Sequence, residues 1–143
     1  MKKMLFFCAM LSLVVTSANT QAVKKTFHSC REVVEATLTT SPYVKALVEP
    51  WEKEIKAKGG LGWDYALESG PTFNDQDPTS GNSFSDDYIF LLRETYKDSA
   101  AAVYTFKVKP VNGKLFQLDK TANSWIQRPS DPALMPLVQS LCK

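Results

Sequence analysis

The chain has 143 residues, 44% hydrophobic, 11% aromatic and 22% charged, with a formal net charge of +2. That composition excludes a disordered tail, a collagen-like repeat and a coiled coil, and the length holds one domain with one core. The positive excess sits at the N-terminus: without Lys2 and Lys3 the 17 basic residues fall to 15, against 15 acidic ones, and a net-neutral domain without a basic stripe is not built to bind nucleic acid.

Lys2 and Lys3 open a positive segment, Met4 to Val15 is apolar, and Thr20 and Ala22 put small residues at the −3 and −1 positions. This pattern predicts a secretory signal over residues 1–22 and a single α+β domain over 23–143. The apolar run is too short to span a bilayer comfortably, so no stable membrane anchor is expected after cleavage. A periplasmic or secreted location follows. Cys8 leaves with the signal, and Cys30 and Cys142 remain near the two ends of the mature chain. In an oxidising compartment such a pair predicts one disulfide. A loop of that length is stabilised by roughly 4–5 kcal/mol in the chain-entropy account. A metal pair would need more ligands, and His28 is the single histidine.

Ser29-Cys30-Arg31-Glu32 has the form of a capping box that opens a first helix, with Val33, Val34 and Leu38 on its apolar face. Ser41 as cap and Pro42 at the first position start a second helix. Val44, Leu47, Val48, Trp51 and Ile55 fall on one face of it. Pro50 either kinks or restarts this helix, and Gly59-Gly60 ends it. Gly62 to Glu68 alternates, with Trp63, Tyr65 and Leu67 on one side, and predicts a strand with one buried face.

Residues 69–86 predict a long polar loop. Asp87 to Thr95 holds the run Tyr88-Ile89-Phe90-Leu91-Leu92, which predicts a central strand covered on both faces. Val103 to Pro110 alternates again. Asn112-Gly113 signals a hairpin. A two-residue loop would set Val108 opposite Gln117 and Lys107 opposite Leu118, mixing apolar and polar side chains on each face. A three-residue loop sets Val108 opposite Leu118 and Lys107 opposite Asp119, which is the expected register, with Gly113 left-handed. Trp125-Ile126 forms a short final strand or a packing plug. Asp131 and Pro132 start a C-terminal helix with Leu134, Leu137, Val138 and Leu141 on its face. The expected architecture is therefore two N-terminal helices, an antiparallel four-stranded meander and a C-terminal helix.

No catalytic constellation is present: His28 has no nucleophile elbow or second histidine to work with, and no zinc motif occurs. Asp75 to Asp86 follows a twelve-residue calcium loop superficially. Its glycine falls one place late, proline occupies the fourth position and Asp86 stands where a bidentate glutamate belongs. No cofactor or metal is expected. Most aromatic residues lie at strand or helix spacing and are core. Phe73 and Phe84 do not. They sit in the polar loop with Asp75 and Asp77, and these four are the candidate partner-binding residues, Phe73 and Phe84 serving either as anchors or as a lid over the sheet edge. Trp51, Tyr65, Phe90 and Phe106 are the candidate lining of a pocket between helices and sheet.

The stretch from Asp87-Tyr88-Ile89-Phe90 through Asn112-Gly113-Lys114-Leu115-Phe116-Gln117-Leu118-Asp119 to Trp125, closed by a helix ending in cysteine, resembles small exported bacterial proteins. The order of helices and meander resembles the cystatin-like and NTF2-like folds. The chain lacks the Q-x-V-x-G loop of the cystatin inhibitors, so that inhibition is not implied. The resemblance implies a binding module, inhibitor or immunity protein more often than an enzyme, and names no functional residue. The leading expectation is a non-catalytic exported binding protein with a protein partner in the envelope or outside, acting through the 69–86 loop and a sheet face. A carrier of a small apolar ligand comes second, and an enzyme using the acidic loop residues third.

Overall fold

The computed structural model of the chain describes residues 26–71 and 83–143. The expected signal, residues 1–22, and three of the candidate partner residues, Phe73, Asp75 and Asp77, lie outside the described residues.

Helix α1 spans Cys30–Thr40, and Ser29 Oγ accepts the Glu32 amide at 3.2 Å. Glu32 reaches back to the amide of His28, not of Ser29, at 2.8 Å, so the reciprocal half of the capping box is offset by one residue. The hydroxyls of Thr37, Thr39 and Thr40 donate to the carbonyls of Val33, Glu35 and Ala36, one turn back. This back-bonding satisfies polar β-branched residues inside a helix. Ser41 then serves both helices: its amide donates to the Leu38 carbonyl, and its Oγ accepts the Val44 amide at 3.3 Å and donates to the Pro129 carbonyl at 2.7 Å.

Helix α2 spans Pro42–Ala57 and runs through the exposed Pro50 without a restart. It ends on a Schellman motif: the Gly60 amide donates to the Ile55 carbonyl and the Gly59 amide to that of Lys56, with Gly59 at φ 84°. A Cβ at Gly60 would fall 2.3 Å from Ile55 Cγ2, which is why the second residue of the turn is also glycine.

The α+β class and the antiparallel sheet stand, with more strands than the sequence pattern suggests. The sheet has the order β2-β1-β3-β4-β5-β6, with β1 Gly62–Gly70, β2 Ser83–Phe84, β3 Tyr88–Thr95, β4 Ala100–Val108, β5 Leu115–Asp119 and β6 Ser124–Arg128. Five of these strands pair antiparallel, and the two-residue β2 adds to β1 in parallel. The expected four-stranded meander is thus one strand short, because Trp125 and Ile126 pair with Leu118 and Gln117 instead of plugging a gap. Register shifts at Leu67/Ser69 and at Leu92/Arg93 mark bulges, which bend a strand and increase its twist.

The β4–β5 hairpin has a different register from the expected one. Val108 faces Leu115, Lys107 faces Phe116 and Phe106 faces Gln117. The Lys109 amide donates to the Lys114 carbonyl, closing a four-residue loop over 110–113. Pro110 has no amide to give a ladder, and the strand stops at Val108, two residues before it. Gly113 is left-handed as expected, at φ 67°, and a Cβ there would press on Val138 at 3.3 Å.

The helices cover one face of the sheet. Val34 and Leu38 of α1 and Val44, Val48, Trp51 and Ile55 of α2 pack on Tyr88, Phe90, Leu92, Phe106, Val108 and Leu115. The opposite side of α1, Val33 and Ala36, packs on Leu134 and Val138. The molecule is therefore layered as sheet, then α1 and α2, then the C-terminal segment. That segment is a 3₁₀ turn Pro132–Leu134 capped by Asp131, followed by α3 Met135–Leu141. Among the described residues α1 and the Gly113 turn lie beside it, so a narrow stripe suffices and Leu137, expected on the buried face, is 38% exposed. The Cys30–Cys142 disulfide closes a sequence separation of 112 residues and ties the start of α1 to the end of α3.

Candidate functional site

The open face of the sheet follows from the register, since residues directly opposite one another point to the same side. One row reads Ile89, Lys107, Phe116 and Gln127, and the next reads Ala66, Leu91 and Thr105, continued on β5 and β6 by Leu118 and Trp125. Ile89 and Leu91 are half-buried while Tyr88, Phe90 and Leu92 are fully buried, so helices cover only one side of the central apolar run. The row holding a lysine opposite a phenylalanine is reconciled by geometry. Lys107 Nζ lies 4.3 Å from the Trp125 ring centroid and 5.5 Å from that of Phe116, and 3.6 Å from Asp87 Oδ2. Lys109 Nζ adds a second cation over Phe116 at 5.6 Å. Further along the same face Arg93 makes a bidentate pair with Asp64, both contacts at 2.8 Å. That bond to Asp64 is the main cause holding the guanidinium pKa above its ordinary value.

A second feature lies on the helix side, where the sheet extends past α2. A cavity of about 280 Å³ is lined by Val103, Tyr104, Gln117, Asp119, Lys120, Ile126 and Arg128, with Leu118 beside them. Gln117 Oε1 accepts from Tyr43 Oη at 2.7 Å and from Arg128 Nε at 3.0 Å, and the Arg128 guanidinium lies over the Tyr43 ring at 4.4 Å. This is the physical answer to Phe106 facing Gln117: the amide is not stranded on an apolar face but joins α2 to β6. Burial first, then the charges of Glu54, Tyr43 and Glu94 nearby, push the Tyr104 hydroxyl above its ordinary pKa. A further cavity of about 370 Å³ lies over the disulfide, among Cys30, Tyr88, Pro110 and Leu141.

Phe84, the one candidate partner residue among those described, sits on the edge strand β2 and is 56% exposed. Trp51, Tyr65, Phe90 and Phe106 all belong to one packed cluster, where Trp51 meets Tyr104 edge to face at 4.9 Å and Tyr65 meets Phe90 at 6.0 Å. Neither cavity is lined by any of these four. Trp51 also donates from Nε1 to Glu94 Oε1 at 3.0 Å, and Tyr96 donates to the other oxygen at 3.1 Å. These bonds, Trp51 first, hold the Glu94 carboxyl below its ordinary pKa against a smaller opposing effect of burial. Among the described residues no three His, Cys, Asp or Glu side chains are grouped to hold a metal ion. No helix of the described residues is long and apolar enough to cross a membrane.

Compared with known proteins, the chain matches no family model, no curated protein and no solved structure.

The residues that the sequence reading missed, Tyr43, Lys107, Gln117 and Arg128, are joined only by the hairpin register. Pro110 marks where β4 has to end, but it does not say how β5 aligns with it, so the sequence held no signal for this meeting of residues.

Proposed function

We propose that the chain is an exported, non-catalytic binding protein that takes a protein partner on the open face of its sheet and the adjoining 69–86 loop, in the manner of an inhibitor or immunity protein. The observation that carries this reading is the open face itself, where the half-buried Ile89, Leu91, Phe116, Leu118 and Trp125 stand on three strands, β3, β5 and β6, with no helix of the described residues packed over them. Aromatic and aliphatic groups rimmed by cations are the composition of an interface core with a polar border. Phe84, on the edge strand β2, stands opposite Gly70 and so points to the Tyr88 side of the sheet; it borders the loop and is not part of the open face. The disulfide supports the oxidising compartment that export supplies. Helices against one side of an antiparallel meander also support the cystatin-like and NTF2-like architectures as the fold reading, though such an analogy assigns no function by itself.

The test uses tagged, oxidised protein from Val23 to Lys143, with envelope and culture-medium extracts and mass spectrometry of what is retained. One stoichiometric partner should be held by the wild-type protein and by Arg128→Gln, and lost by Leu91→Glu and by Phe73→Ala with Phe84→Ala. Retention of that partner by Leu91→Glu, with unchanged melting temperature, would exclude the open face. Retention by the double loop variant would restrict the surface to the sheet.

A further inference from the structure

We propose that the cavity beside Tyr104 binds an apolar monocarboxylate, with Arg128 as the group that recognises the carboxylate. The Arg128 guanidinium is already oriented. Its Nε is held by Gln117 at 3.0 Å, its plane rests on Tyr43 at 4.4 Å, and Gln117 is in turn fixed by the Tyr43 hydroxyl. Among the described residues Arg128 makes no ion pair, and Nε is the one nitrogen with a hydrogen-bond partner. A planar guanidinium whose two terminal nitrogens have no such partner matches a carboxylate in fork geometry. Holding it in place beforehand lowers the ordering cost of binding.

The charge of the lining limits the ligand to one negative charge. Asp119 and Lys120 line the same cavity and offset each other, which leaves Arg128 as the uncompensated charge. Asp119 is occupied in the turn that follows, its Oδ1 accepting the amides of Thr121 and Ala122 at 2.9 and 3.0 Å. The carboxylates of Glu54 and Glu94 are near enough to act on the Tyr104 hydroxyl, though neither lines the cavity, and this negative charge makes a dianion such as phosphate a poorer fit than a monoanion. Val103, Ile126 and the Tyr104 ring supply an apolar wall, and about 280 Å³ accommodates a body of one ring or one branched chain. The protonated Tyr104 hydroxyl is a second donor on that wall. The same chemistry is offered by a free organic acid and by the last residue of a peptide with an apolar side chain.

The experiment titrates the oxidised protein with 3-phenylpropionate, with its neutral amide and with acetyl-glycyl-phenylalanine, following the Ile126 methyl and Arg128 Nε–H signals by NMR. The acid or the peptide should saturate, with the amide weaker by about tenfold or more. Arg128→Gln should reduce acid binding to the level of the amide, and Arg128→Lys should restore part of it, since an ammonium keeps the charge without the fork. Saturation by the free acid alone assigns a small organic acid, and saturation by the peptide alone assigns a chain terminus. The proposal is overturned by equal binding of acid and amide to the wild-type protein, a comparison that does not depend on the variants folding. It is overturned too by unchanged acid affinity in a natively folded Arg128→Gln, or by no saturable shift with acid or peptide up to about 10 mM.

Discussion

The two faces of this sheet are built from alternate residues of the same strands, yet they hold their side chains by different forces. On the helix side Tyr88, Phe90, Leu92, Phe106, Val108 and Leu115 are fully buried against α1 and α2, and stability there scales with apolar area removed from water. On the other side Lys107 lies between the Trp125 and Phe116 rings and Asp87, and Arg93 is clamped to Asp64. These contacts order the open face without covering it. A chain can thus fold on one face and keep the other for recognition, because a strand separates the two sets of residues at every step.

The largest difference between the faces should come from matched aromatic deletions. Phe106→Ala is expected to cost about 3–5 kcal/mol in urea denaturation, whereas Phe116→Ala, half-buried and outside the core cluster, should cost about 1 kcal/mol or less. Equal losses would mean that the open face is as covered as the other. Removing the disulfide by Cys30→Ser with Cys142→Ser should lower stability by about 2–5 kcal/mol. Its effect should fall on the helix side: the native-state signals of Gly113 and Val138 should shift in NMR while the Trp125 indole signal stays in place. A shift of Trp125 as large as that of Val138 would show the layers to be coupled.

Ser41→Ala should cost about 1–2 kcal/mol by loss of the α2 cap, with the Pro129 carbonyl losing its donor as well. Thermal melts would check this, and a loss below about 0.5 kcal/mol would mean that the junction is held by packing alone. Lys107→Met should cost about 1 kcal/mol, since it removes an ion pair and a cation over two rings but keeps the stem that packs on them. Tryptophan fluorescence during denaturation would resolve it.

The smallest effect belongs to Glu94, which joins the core tryptophan to the sheet end. Its folded-state pKa is lowered, first by the bond from Trp51, so its stabilising contribution is complete above the ordinary glutamate pKa and fades as pH falls through the lower, folded value. The melting temperature of Glu94→Gln should therefore depend less steeply on pH on the acid side than that of the wild-type protein. Parallel acid limbs for the two proteins would remove this role.

Local signals read correctly where a residue's own chemistry decides the outcome. Ser29 and Ser41 cap the two helices, Pro42 opens α2, Gly59-Gly60 closes it, and Gly113 takes the left-handed turn position. The α2 face of Val44, Val48, Trp51 and Ile55 also came directly from period. The hairpin went astray because the register was chosen to match apolar with apolar across β4 and β5. The protein instead places Lys107 opposite Phe116 and Phe106 opposite Gln117, and satisfies each mixed pair with a partner from elsewhere: Asp87 and Trp125 for the lysine, Tyr43 and Arg128 for the glutamine. The candidate pocket residues Trp51, Tyr65, Phe90 and Phe106 lie in the core cluster and outside the two cavities described. Aromatic residues at core spacing fill the space between helices and sheet, and the two cavities lie to either side of that core, one beside Tyr104 and Arg128 and one over the disulfide.

Periodicity, capping residues and cysteine placement, read from the chain alone, were enough for the element types, the α+β class and the Cys30–Cys142 pairing, because each depends on neighbours close in sequence or on a pool of only two thiols. Which sheet face the helices would cover, how β4 and β5 align, and that Tyr43, Gln117 and Arg128 meet depended on contacts across 74 and 11 residues of chain. A strand's alternation is the same whichever way it faces. Only the packing of α1 and α2 against one side makes the two sides different, and so decides where binding chemistry can stand.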